Sequence, residues 1–113
     1  MSGDELTIGQ GKELMKMAGG TNAGLPEHPY QVGKNYFIRC VTHYYTGRLV
    51  QVTAQELVLE DAAWIADTGR FTQAMESGDF SEVEPYPAER LILGRGAVVD
   101  AVQVSWSLPK NQK

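Results

Sequence analysis

The chain has 113 residues, which is room for one domain, and 42% of them are hydrophobic, so most of it has the means to fold. A formal charge of -4 argues against a general nucleic-acid binder, because polyanion binding rests on Lys and Arg. No apolar run approaches the ~20 residues of a membrane span, and Cys40 as the only cysteine excludes an intrachain disulfide and a cysteine-cluster metal site.

The N-terminus lacks the basic-then-apolar order of a signal peptide, so a cytoplasmic or virion-associated location is expected. Leu14 and Met17 share a side of a short helix over Gln10 to Ala18, which Gly19-Gly20 would stop. Residues Gly19 to Gly33, with Pro26 and Pro29, read as a connecting arm, and together residues 1–33 precede the folded domain, 34–108. Tyr36 to Tyr45 is rich in aromatic and β-branched residues and predicts a first strand, with Cys40 a buried free thiol within it. Thr46-Gly47 would turn the chain into a second strand, Arg48 to Thr53, and Ala54-Gln55 into a long third, Glu56 to Ala66. An insertion at 67–87 follows. Arg70 to Gly78 predicts a short helix with Phe71, Ala74 and Met75 on one face, capped by Thr68 and closed by Gly78. Asp79 to Pro87 is acidic, holds two prolines and reads as an exposed return loop. Glu89 to Gly94 and Ala97 to Trp106 predict the fourth and fifth strands, before a polar tail, 109–113. The fold class is therefore mainly β with short helices: a small, five-stranded, strongly bent antiparallel barrel that leaves two strand edges available. Its core is expected to hold Phe37 or Ile38, Leu49, Leu57, Leu59, Ile92, Val98 and Val102.

The chemistry-bearing residues are few. His43 stands among strand aromatics and His28 in the arm, too few and too scattered for a metal site, so no metal or cofactor is expected. Glu60 and Asp61 are adjacent, so a regular strand points them to opposite faces. No nucleophile elbow or phosphate loop is present, and the chain is expected not to be an enzyme. Arg39, Arg48, Arg70 and Arg95 stand singly in or beside strands, where each either pairs with a carboxylate of the acidic loop or lines a pocket for an anionic ligand. Trp64, Phe71, Tyr86 and Trp106 serve either to pack the insertion or as a partner surface, and Leu25 and Tyr30 in the arm are further candidates for an interface.

Two short blocks resemble motifs of the Sm-like family, whose fold is an SH3-like small barrel. Gly47, Leu49, Leu57, Leu59, Glu60 and Asp61 look like its first motif, and Ile92, Arg95, Gly96 and Val98 like its second. The resemblance covers about residues 36–66 and 90–104. It implies rings built by pairing the fourth strand of one subunit with the fifth of the next, and RNA binding in which Arg95 and Gly96 take part. The family reads uridine with an Asp and an Asn in the turn between strands two and three. Here that turn, Thr53-Ala54-Gln55-Glu56, has neither, so nucleic acid is not expected as a partner. Residues Leu57 to Phe71 also resemble a group of small proteins of bacteriophages and prophages. The expected function is a self-assembling interaction protein of phage origin, a homo-oligomer that meets other phage or particle proteins. The alternative is a ring that binds RNA or sequesters a small nucleotide, with Arg39, Arg48, Arg95 and Gly96 as the ligand-binding set.

Overall fold

A computed structural model describes residues 27–87 and 89–113. The expected N-terminal helix, most of the arm and Leu25 lie outside the described residues. The rest is mainly β, one antiparallel sheet of six strands with one short helix. The strands are β1 (Asn35–Cys40), β2 (Tyr44–Val52), β3 (Glu56–Asp67), β4 (Glu82–Pro85), β5 (Leu91–Gly94) and β6 (Val98–Val104). Helix α1 (Phe71–Ser77) sits between β3 and β4, and a single 3-10 turn, Arg95–Ala97, joins β5 to β6. The order across the sheet is β4-β3-β2-β1-β6, and β5 pairs with the first half of β3. Long β3 thus carries two short partners end to end, β5 along Glu56 to Leu59 and β4 along Ala63 to Asp67.

The first chain reversal differs from the expected one. It falls at Val41 to His43, where the Cys40 amide donates to the His43 carbonyl at 2.8 Å, and Thr46-Gly47 lies inside β2. Tyr44 and Tyr45 need a sheet surface to pack on, so they open the second strand and do not end the first. Gly47 is required by close approach instead of by a turn. A Cβ built there would stand 3.0 Å from the Leu59 Cβ on the neighbouring strand. The next turn is as expected, and Thr53 wires it. Its hydroxyl accepts from the Glu56 amide at 2.8 Å and donates to the Glu56 carboxylate at 2.6 Å.

Two bulges bend the β2–β3 ladder. Between Thr46 and Arg48, β3 spends an extra residue, and Asp61 adopts a left-handed φ of 52° there. Asp tolerates that conformation better than most residues. The bend overturns the expectation that Glu60 and Asp61 are held apart: both reach Arg48, at 3.0 and 2.6 Å.

Each face of the sheet has its own core. The first holds Tyr36, Ile38, Leu49, Leu57, Leu59 and Leu93. The second holds Phe37, Ala63 and Ile65 under a lid made by the insertion, whose Ala74, Phe80 and Val83 are buried. Phe37, Ile38, Leu49, Leu57 and Leu59 are core residues as expected, and Val98 packs at the rim. Ile92 and Val102 are not; they are 64% and 46% exposed. Register is the reason. Leu93 faces Leu57 and Leu91 faces Leu59 on the first face, which turns Ile92 outward, and Val102 opposite Phe37 lies beyond the lid.

The return loop is also corrected, because Glu82 to Pro85 forms β4. A single apolar residue, Val83, alternates with glutamates there and plugs the second core opposite Ile65. Pro85 is tolerated because it ends an edge strand. Lys113 exchanges two 3.0 Å backbone hydrogen bonds with Val83, so the tail folds back on the lid, and Leu108 is buried on the way. Helix α1 begins after Arg70 with no side-chain cap; Thr68 donates to the Gly69 carbonyl instead. Gly78 closes it at φ 75°, where a Cβ would stand 2.5 Å from the Trp106 ring. Cys40 is half-buried, not buried, and burial pushes its thiol pKa up.

Candidate interaction surface

The lid stops short of the sheet edge. Between α1 and β6 it leaves a groove of about 480 Å³ on the second face, floored by Phe37 and Val102 and walled by Phe71, Met75 and Trp106. Strand β6 has a partner only on its β1 side among the described residues, so one wall of the groove is a free strand edge. Phe71 is 47% exposed, although its ring meets Phe37 edge-on at 6.0 Å. The mouth is polar. Arg39 forms a two-pronged pair with Asp100, one arm at 2.8 Å, and its guanidinium lies 5.8 Å from the Phe71 ring centre. That pair holds the Asp100 carboxyl below its ordinary pKa, through the hydrogen bond first.

The four arginines do not converge. Arg48 is bound to Glu60 and Asp61, and its hydrogen bond lowers the Asp61 pKa. Arg95 donates to the Thr53 carbonyl at 2.7 Å, its amide to the Gln55 carbonyl at 2.7 Å, and it stacks 5.4 Å over Tyr30. The Arg95-Gly96 turn therefore clamps the β2–β3 turn. Arg70 is exposed, with no ion pair among the described residues. The carboxylates that pair with Arg39 and Arg48 come from β6 and β3, not from the acidic loop.

The aromatic candidates separate by role. Trp106 is a lid anchor: its indole N–H donates to the Met75 carbonyl at 2.8 Å, and it packs edge-on against Phe80. Tyr30 packs against Tyr36 at the rim of the first core. Trp64 and Tyr86 are exposed on the sheet surface, apart from the groove. Asp100 and Met75 escaped the sequence reading as groove residues. Asp100 did leave a signal, a charge inside the apolar run Val98 to Val104.

No family model, no curated protein and no solved structure matches this chain. Among the described residues, no three His, Cys, Asp or Glu side chains are placed to hold a metal ion, and no helix is long and apolar enough to cross a membrane.

Asp61 and Asp100 make acid stability a test of the two ion pairs. Both carboxyls have folded pKa values below their unfolded ones. The stability they contribute is present above the unfolded value, about 3.9, and is lost as pH falls through the folded one. The part of the melting temperature that these two pairs supply should hold from pH 7 to about 5 and be lost below about 4. Asp61→Asn and Asp100→Asn together should make the acid limb slightly shallower. Both groups are solvent-exposed, so the change in slope is small.

Proposed function

We propose that this protein is a non-enzymatic assembly module whose copies join edge to edge, β5 of one against β6 of the next. One observation carries it: two of the edge strands among the described residues, β5 and β6, both show bare β-branched residues. Ile92 on β5 is 64% exposed and Val102 on β6 is 46% exposed. Each points to the lid-bearing face, so adding β5 of a neighbour to β6 would bring its Ile92 toward the groove beside Val102 and Phe71. Uncovered edges with apolar side chains invite such pairing, and soluble monomers ordinarily guard them with lysine or proline. In this proposal the bulged sheet curls into an Sm-like or SH3-like barrel, consistent with the 3-10 turn between β5 and β6. The likeness of residues 57–71 to phage proteins adds a phage or prophage setting, as a particle or accessory component. Binding of RNA or a small nucleotide would require Arg39, Arg48 and Arg95 to leave partners on separate strands and loops, and nothing favours that exchange.

The test is mass by light scattering across micromolar concentrations. The native chain should exceed a monomer, and Ile92→Lys and Val102→Lys should each be monomeric. Because the pairing is head to tail, an equimolar mixture of the two variants should form a dimer of one each, through the edges left intact. A native monomer at every concentration would overturn the proposal.

A further inference from the structure

On the other face of the sheet, away from the groove, four rings form a continuous strip. Tyr45 and Trp64 sit opposite each other across β2 and β3. The His43 ring lies 5.6 Å from Trp64 and 6.2 Å from Tyr45, and Tyr86 lies 6.4 Å from Tyr45. Trp64 and Tyr86 are over one-third exposed. The first core accounts for Tyr45 at its rim, but not for the bare outer rings.

The border of the strip along β4 is acidic, whereas at its Tyr86 end Lys110 stands beside Asp61. Glu84 stands opposite Trp64 across β3 and β4, and past the Ile65–Val83 pair and a bulge Asp67 stands against Glu82. Like charges directly opposed on a sheet destabilise it. None of these three exposed carboxylates has an ion-pair partner among the described residues; Glu84 accepts only from the Gln112 amide. Ring faces are the negative part of an aromatic quadrupole, so both the strip and its β4 border attract the same sign of charge. We infer that this strip is a docking site for a basic peptide segment of a protein partner. Arginine is favoured over lysine, because a planar guanidinium stacks on a ring while its edge donates to a carboxylate. The inference does not depend on self-assembly, since the strip lies outside both proposed edges.

Calorimetric titration of the full chain with a hexa-arginine peptide tests it. Saturable binding is expected, weakening as salt rises. Trp64→Ala should weaken it by about fivefold or more. Glu84→Lys should do so as well, and keeps the rings if the first variant is unstable. Glu76→Lys makes the same charge change on the helix, facing the groove, and should leave affinity within about twofold. Equal weakening by Glu76→Lys would reduce the binding to general attraction by an acidic chain and overturn the site. So would absence of saturation, or binding of a neutral oligosaccharide that Trp64→Ala abolishes and hexa-arginine does not compete, which would assign the strip to carbohydrate.

Discussion

Leu59→Ala should destabilise the protein by about 2–5 kcal/mol in urea unfolding, with an unchanged denaturant slope. Leu59 is fully buried, and its Cβ would stand 3.0 Å from a Cβ built at Gly47 on β2. Its loss removes transfer free energy and leaves a cavity in the first core, whose walls the β2–β3 ladder holds in place. The same contact can be probed from the other side. Gly47→Ala puts a methyl 3.0 Å from the Leu59 Cβ, and overpacking of that kind costs about 1–3 kcal/mol. In the Leu59→Ala background the new methyl should find room, and the two costs should fall short of their sum. Strict additivity would show that Gly47 serves some purpose other than admitting Leu59.

Phe80→Ala should cost about 3–5 kcal/mol and free the lid. Phe80 is buried between Phe37 of the sheet, stacked at 5.8 Å, and Trp106, edge-on at 5.6 Å. It is the buried ring through which the insertion grips the second face, with the half-exposed Phe71 beside it. Trp106 reports on the outcome, because its indole bridges to the Met75 carbonyl at the end of α1. Its emission should shift to the red in Phe80→Ala, at temperatures where the sheet signal persists. The groove depends on the same packing, since Phe71 and Met75 reach it from α1. The variant should therefore also self-associate more weakly than the native chain. A melting temperature unchanged within error would mean that the insertion is an appended loop and not a lid.

The sequence alone determined the apolar strands but not β4, whose lone Val83 among glutamates and prolines carries no strand period. Runs such as Tyr36 to Cys40 and Leu57 to Ile65 combine β-branched and aromatic residues, and the helix at Phe71 to Ser77 is legible from its spacing and from Gly78. Leu49, Leu57 and Leu59 were legible as core because several apolar residues agree on one face. The tertiary structure alone decided what single letters mean. Gly47 looks like a turn in sequence and proves to be a contact, because its neighbour Leu59 is twelve residues away. Ile92 and Val102 look like core and are bare, because strand parity is set by register with a partner and not by the strand itself. Glu60 and Asp61 look divergent and converge on Arg48, because a bulge adds the bend that regular geometry forbids. The groove and the aromatic strip draw on residues from several elements, Phe37 with Trp106 and Tyr45 with Tyr86. Local pattern carries the period of a strand or helix, whereas such surfaces exist only once the sheet has chosen its order and the insertion its face.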